Sequence, residues 1–272
     1  MNPYLYIFGE EFPWYGLLFG FGMVFGGFLS ALRSKKRTVP RFDCIAASCF
    51  GMMGGMVGAK LLALLPIYDE IILLIALRKF TMEMFVEIMQ TGFVFYGGLI
   101  GGALGIILYC KIYKINYLDL LDVSAVSVPL GHVFGRIGCF LSGCCYGMPY
   151  DGILSFQYSH VHYPIMGAQT PVGVSLFPVQ LVEAFSLLIL WIVLESLFHK
   201  YNKRGLTTCV YAYSYAVIRF ILEYFRYDSI RGVYFGLSTS QIISILIVLV
   251  VSIVLITNIV KNKKKKQKEL LN

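Results

Sequence analysis

Between Gly131 and Gly147 the chain reads Gly-His-Val-Phe-Gly-Arg-Ile-Gly-Cys-Phe-Leu-Ser-Gly-Cys-Cys-Tyr-Gly. This run sets one arginine, one histidine, three of the seven cysteines and five glycines at the end of an apolar segment. A guanidinium at hydrocarbon depth costs roughly 2.5–3.5 kcal/mol on insertion scales, so Arg136 needs a partner or a ligand there. Glycines let backbone come close to a ligand or to another helix. A second group, Tyr215, Arg219, Glu223 and Arg226, recurs at i, i+4, i+8 and i+11, which lines the four along one helix face. Gln180 and Glu183 are one turn apart and can point the same way. Guanidinium groups suit bidentate recognition of phosphate, so these residues point to a pocket for a phospholipid headgroup. Cys139, Cys144 and Cys145 offer a different chemistry, that of a thiol site. With His132 they supply ligands of the zinc type, although the usual Cys-x-x-Cys pairs are absent.

The elements that must position these residues are membrane helices. The chain is 58% hydrophobic and 14% charged, with a mean hydropathy of +0.73, against about 25% charged residues in soluble proteins. The expected class is an all-α polytopic membrane protein. A span needs about 20 mainly apolar residues, and seven candidates occur, roughly 15–32, 43–66, 92–110, 120–135, 177–198, 208–225 and 239–260. Residues 1–260 read as a single transmembrane domain and 261–272 as a basic cytoplasmic tail. The first basic residue, Arg33, follows the first apolar run, which argues against a cleavable signal segment and for an external N-terminus. Sixteen of the 23 Lys and Arg then fall on the side of residues 33–41, Lys111, Lys114, residues 200–204 and the tail, so the C-terminus is expected in the cytoplasm. The net charge of +8 is mostly a membrane-surface feature. The Lys263 to Lys266 run fixes topology as a solvated charge cluster, or binds anionic lipid at about 1 kcal/mol per residue; nucleic acid is not implied. With this topology the three clustered cysteines lie on the oxidising outer side, where a disulfide can form. Cys44, Cys49, Cys110 and Cys209 read as packing residues within or at the ends of spans.

Several features along the chain qualify this outline. Trp14 and Tyr15 stand where amphipathic aromatics anchor a helix at the interface. Gly51, Gly54, Gly55 and Gly58 give small-residue spacings that bring helices together. Lys60 either snorkels to the outer interface or faces a cavity. Residues 67–91, with Phe80, Met84, Phe85 and Met89 at helical spacing, are expected to form an external amphipathic loop, as a helix lying on the outer leaflet or as one merely covering other spans. The fourth span is expected to be short, ending at Pro129-Leu130-Gly131-His132 and Gly135, with non-helical backbone beyond it lining a cavity. Residues 148–176, with His160 and His162, read as an external cap.

The run from Gly135 to Gly147 resembles the signature of the bacterial prolipoprotein diacylglyceryl transferases, Arg-x-Gly-Asn-Phe-x-Asn-Gly-Glu with a later glycine. Gly135, Arg136, Gly138, Phe140, Gly143 and Gly147 match it. Cys139 and Ser142 stand at its Asn positions, and Cys144 at its Glu. Trp14-Tyr15-Gly16 is similar to the head of that family's first span. Phe95-Tyr96-Gly97-Gly98-Leu99-Ile100-Gly101 resembles a Phe-His-Gly-Gly-Leu-Ile-Gly run, with Tyr96 at the histidine, and Gly58-Ala59-Lys60-Leu61-Leu62 stands at that family's Gly-Gly-Arg-Leu-Gly position, with Lys60 where an arginine is common. Phe177-Pro178-Val179-Gln180-Leu181-Val182-Glu183 resembles His-Pro-x-Gln-Leu-Tyr-Glu. Arg219 to Arg226 resembles Arg-x-x-x-Glu-Phe-Phe-Arg, and Ser238 to Ile242 resembles the opening of the last span.

The resemblance implies transfer of diacylglycerol from phosphatidylglycerol to the lipobox cysteine thiol of a prolipoprotein signal peptide, releasing glycerol phosphate, with no metal or cofactor. It implies a multi-pass protein of the bacterial cytoplasmic membrane with its site toward the outer leaflet. Arg136 and Arg219 would hold the phosphate. Tyr96 by alignment, His132 by chemistry and Glu223 would handle the proton. Tyr15, Gly98, Cys139, Gly147, Gln180, Glu183, Tyr215 and Arg226 would line the substrate. Tyrosine, with a usual pKa near 10, differs from histidine as a base. Two other readings fit the same residues: a membrane thiol-redox or Cys-dependent lipid-transfer protein built on Cys139, Cys144 and Cys145, and an inactive phospholipid-binding relative.

Overall fold

A computed structural model describes residues 4–7, 10–90, 94–159, 170–227, 233–234 and 236–271. His160 and His162 of the expected cap lie outside the described residues. The elements in order are the hairpin β1 (Tyr4–Ile7) and β2 (Glu10–Pro13), α1 (Trp14–Arg33), α2 (Arg41–Leu64), α3 (Tyr68–Ala76), α4 (Met82–Gln90), α5 (Phe95–Tyr113), α6 (Tyr117–Leu141), α7 (Val179–Lys200), α8 (Leu206–Leu222), the short pair β3 (Val233–Tyr234) and β4 (Leu237–Ser238), and α9 (Thr239–Leu271). Both strand pairs are antiparallel.

Six helices are long and apolar enough to cross a membrane: α1, α2, α5, α6, α7 and the Thr239–Asn258 part of α9. The protein is a multi-pass membrane protein. The seventh expected span, 208–225, corresponds to α8. It is shorter than expected because the 17-residue helix tightens into a 3-10 turn over Glu223–Phe225. At about 1.5 Å per residue it covers less than the roughly 30 Å of a hydrocarbon core. The single external helix expected over 67–91 is two helices, α3 and α4. Arg78 adopts a left-handed φ of 54° between them, and Phe80 falls in the break.

α6 occupies the centre and packs against α1, α5, α7 and α8. It is buried along most of its length, from Asp119 to Phe140. The expectation that this span stops near Gly135 is not met. The helix runs on through Arg136 and Cys139 to Leu141, with Pro129 inside it. Inside a helix the backbone hydrogen bonds stay within the segment, the cheapest arrangement at membrane depth.

Glycine lines the two closest helix contacts. A Cβ on Gly58 would stand 2.3 Å from the Gly97 carbonyl oxygen, and one on Gly54 would stand 2.4 Å from that of Gly101, so α2 and α5 touch backbone to backbone. α1 meets α6 the same way, with Gly22 against Gly131 and Gly138 against the Cα of Tyr15. Large apolar side chains such as Val24, Phe42, Met53 and Ile192 are exposed on the outer faces of the spans, as suits helices set in lipid.

The loops between α1 and α2, before α6 and between α7 and α8 meet at one end of the bundle. There the buried Asp122 carboxylate accepts from Gly205 N (2.8 Å), Thr208 N (2.9 Å) and Thr208 Oγ1 (2.8 Å), and pairs with Arg37 at 3.1 Å. Gly205 has no side chain to cap α8, so Asp122 on a neighbouring helix satisfies its first amides. Arg204 pairs with Asp119 at 2.9 Å, and Arg33 pairs with Glu195.

Two predictions follow from this packing. Gly58→Ala should lower the unfolding free energy in detergent by about 1–3 kcal/mol through overpacking. Gly20→Ala, with nothing within 4 Å of its Cβ, should be neutral or stabilising by up to about 1 kcal/mol. Asp122→Ala should cost about 3–5 kcal/mol by leaving Arg37 buried without a counter-charge, and Asp122→Asn, which keeps an acceptor, should cost less. Thermal melts of the purified variants measure all four.

Candidate functional site

At the opposite end of the bundle α6 carries Arg136 into the interior, where its Nη2 meets Glu183 Oε1 of α7 at 3.0 Å. Glu183 is 1% exposed, so neither charge has bulk water to solvate it. Glu183 also lies within electrostatic reach of Arg219, Arg226 and His132, which makes it the hub of the cluster. Arg219 of α8 pairs with Glu223 at 2.5 Å and reaches Ser240 Oγ of α9 at 3.3 Å.

Aromatic residues pack beside these pairs. The His132 ring lies 3.7 Å from Phe95 and 5.2 Å from Tyr215, measured between centroids. Tyr96 Oη is 2.5 Å from Ser244 Oγ of α9, and its ring lies 6.0 Å from Tyr215. Four buried polar atoms here have no hydrogen-bond partner among the described residues: His132 Nδ1, Arg219 Nη1, Tyr211 Oη and Tyr215 Oη. Buried polar atoms are nearly always satisfied, so such a group marks a place where a polar ligand can bind.

The cysteine end is built by the way α6 stops. Gly143 takes a left-handed φ of 71°. Cys144 N then donates to Cys139 O at 3.1 Å and Gly143 N to Phe140 O at 3.2 Å. This is the Schellman pattern, which folds the residue after the glycine back over the last turn. Here the two residues it brings together are Cys144 and Cys139. Cys145 follows at φ 59°, and the three sulfurs all lie within 4.8 Å of one another. Other elements hold the turn from outside. Thr170 Oγ1 donates to Gly143 O at 2.8 Å, and Gln180 Nε2 donates to Cys144 O at 2.8 Å and Tyr158 Oη at 3.2 Å. Hydrogen bonds with Cys139 and Cys144, aided by Arg226 and Arg136, hold the Cys145 thiol well below its usual pKa, while those with Cys139 and Cys145 and burial push Cys144 well above it. All seven cysteines are free thiols. Of the four read as packing residues, Cys44 and Cys110 are buried, Cys209 is half-buried and Cys49 is exposed.

The structure thus brings together Arg136, Glu183, Arg219, Glu223, His132, Tyr96 and Tyr215, with Tyr15 beside Arg136 and Cys139. It distributes the other expected residues differently. Gln180 turns its amide to the cysteine turn, not to the arginines. Gly98 packs against Gly55 and Ala59 of α2. Gly147 pairs with Arg226 in an isolated antiparallel bridge, with Phe177 and Phe225 carbonyls so close that a Cβ would stand 2.3 Å and 3.0 Å from them. Arg226 therefore leaves the helix face that its i+11 spacing predicts, because α8 has ended and its backbone is extended there. Lys60 Nζ donates to the Ile88 carbonyl of α4, so it ties α2 to α4. Sequence reasoning missed Ser244, the partner of Tyr96, and Tyr158 and Thr170, which anchor the cysteine turn. Only Ser240 and Ser244, one turn apart in an apolar helix, carried a legible signal.

The family model for prolipoprotein diacylglyceryl transferase matches residues 3–257. A phosphatidylglycerol–prolipoprotein diacylglyceryl transferase of Clostridium tetani is 33% identical over 249 residues, covering 91% of this chain and 94% of the relative. One from Clostridium perfringens is 32% identical, covering 89% of each chain, and one from Helicobacter pylori is 32% identical, covering 91% and 89%. This chain belongs to the prolipoprotein diacylglyceryl transferase family.

Proposed function

We propose that this protein transfers a diacylglyceryl group from phosphatidylglycerol to the lipobox cysteine of a prolipoprotein, at a site opening toward the outer leaflet of the bacterial cytoplasmic membrane. The names of its relatives supply the two substrates. The observation that carries the reading is the buried cluster of Arg136–Glu183 and Arg219–Glu223 pairs with unpartnered polar atoms around it.

Arg136 and Arg219 hold the phosphodiester, a task for which planar guanidinium forks are suited. Glu183 and Glu223 keep both guanidiniums oriented before substrate arrives. As the substrate sulfur forms its bond to the glyceryl carbon, the bond from that carbon to the phosphoester oxygen breaks, and glycerol phosphate leaves with the electron pair. The arginines stabilise the charge that develops on that oxygen. Tyr215 Oη and Arg219 Nη1 donate to the phosphate, both having no other partner among the described residues. His132 Nδ1 is likewise unpartnered, whereas Tyr96 is engaged with Ser244 and Glu223 with Arg219. Among the three groups assigned to proton handling, His132 therefore takes the proton and Tyr96 positions α9 against α5. The basic loops at the Asp122 end face the cytoplasm, which agrees with an odd number of crossings once α8 is counted. Residues 1–260 work as one membrane domain.

The test is transfer of labelled diacylglyceryl from phosphatidylglycerol to a lipobox peptide by the purified protein. Arg136→Ala and Arg219→Ala should each lower the rate about 100-fold or more at unchanged membrane abundance. Native rates in either variant would count decisively against the assignment.

A further inference from the structure

We infer that Cys139, Cys144 and Cys145 form a three-thiolate site for zinc, whose open fourth position takes the incoming substrate thiol. The metal half of this inference stands on the geometry alone, and the identity of the fourth ligand rests on the transferase reading above.

Three sulfurs within 4.8 Å of one another are close to what a metal requires. Zinc–sulfur bonds of about 2.3 Å in a tetrahedron set sulfurs roughly 3.8 Å apart, so closure takes about 1 Å of movement or less. The turn that gathers them is held mainly by backbone and by neighbouring side chains, with the Cys144 thiol adding a weak bond to the Cys139 carbonyl at 3.7 Å. The Schellman bonds fold Cys144 onto Cys139, Gly143 and Cys145 take left-handed backbone conformations, and Thr170 and Gln180 hold the two carbonyls between them. A non-glycine residue in that region costs energy that the surroundings must offset, and it turns the Cys145 side chain toward the other two. Ser142 Oγ in the same turn is buried without a partner among the described residues.

Thiolate ligands select zinc, copper(I) or iron–sulfur centres, and zinc alone of these brings no redox chemistry. Structural zinc sites are closed by four protein ligands, whereas sites that act on a substrate keep three and leave one open. His132 cannot close this site, being two turns from Cys139 on α6. The negative charge of zinc with three or four thiolates needs compensation, and Arg136 and Arg226 both lie within electrostatic reach of Cys145.

The consequence concerns the hardest part of the proposed reaction, presenting a thiolate at neutral pH. A thiol coordinated to zinc is deprotonated outright. The substrate cysteine would displace a bound water and give up its proton to solvent, which reaches the half-buried Cys144 and Cys145. Its sulfur would then form the thioether bond as the carbon–oxygen bond to phosphate breaks and glycerol phosphate departs. In place of the proton-accepting role given to it above, His132 would then hydrogen-bond the phosphate through its unpartnered Nδ1, and a tyrosine at position 96 is no handicap.

Full-length protein purified in detergent under reductant should retain stoichiometric zinc through dialysis. Cobalt in its place should show thiolate-to-metal charge-transfer absorption. Cys139→Ser, Cys144→Ser and Cys145→Ser should each weaken zinc binding more than about 100-fold, beyond the effect of losing an outer-shell partner, while Cys49→Ser leaves it unchanged. No zinc uptake by the native protein, uptake unchanged in the triple variant, or a disulfide among the three in anaerobically prepared protein would overturn the site. Removing zinc should stop transfer and adding it back should restore it. Full transfer by zinc-free protein would overturn the role of the fourth position and leave the transferase reading intact. Zinc bound through the three cysteines without any transfer would sink the transferase reading and leave the metal site standing.

Discussion

One buried ion pair constrains everything at the functional end of the molecule. A guanidinium carried into the membrane interior by a helix must be matched, and Glu183 of α7 matches Arg136 of α6 at 3.0 Å. Such a pair adds little net stability, because desolvating two charges costs about as much as their attraction returns. Its value lies in specificity, since any packing that separates α6 from α7 leaves a bare charge in apolar surroundings, at a cost of about 3–5 kcal/mol. α6 is therefore pinned at the centre, and its neighbours are arranged to keep it there. The other end repeats the device with Arg37 and Asp122, where the carboxylate also caps α8.

Between these pinned ends, apolar burial gives no preference, because lipid is as good a solvent for leucine as another helix is. The close packing of α2 on α5 and of α1 on α6 is instead a matter of backbone approach at glycine. The second contact bears on the site, since Gly138 admits Tyr15 two residues along the helix from Arg136 and beside Cys139. A side chain at 138 would push α1 away and open the cluster to the bilayer.

The class, the spans and the charged residues were legible because each has a strong local signature: long apolar runs, intramembrane arginines, and carboxylates at helical spacing. Arg219 and Glu223 pair as their i, i+4 spacing predicts. What stayed hidden depends on where helices end and on neighbours distant in the chain. The periodicity of 215–226 continues past the point where α8 stops, so Arg226 was placed on a face it does not share. α6 was expected to break near Gly135 because proline and glycine cluster there, yet the interior satisfies Arg136 and the helix has no reason to unwind. Gln180 looked like a substrate ligand from its place beside Glu183, and only the fold of the cysteine turn shows that its amide is already committed. Ser244 stands out with Ser240 as a polar pair in an apolar helix, but its pairing with Tyr96 depends on how α9 packs against α5.

The distribution of roles along α6 gives the site its shape. His132, Arg136 and Cys139 follow one another at intervals of about one turn, four residues and then three, so about 4.5 Å of helix axis separates the residue assigned to phosphate from the first of the three thiols. An in-line displacement needs a similar length: sulfur and carbon some 3–3.5 Å apart at the start, with the breaking carbon–oxygen bond beyond them. On the proposed reading the helix thus acts as a ruler, with the leaving group held at its inner mark and the nucleophile at its outer one. Moving the cysteines by one residue along α6 would rotate them about 100° away from Arg136. The glycine at 143 returns Cys144 and Cys145 to the same side, which a continuing helix would not do. The position at which α6 ends is then as much a part of the chemistry as the residues it carries.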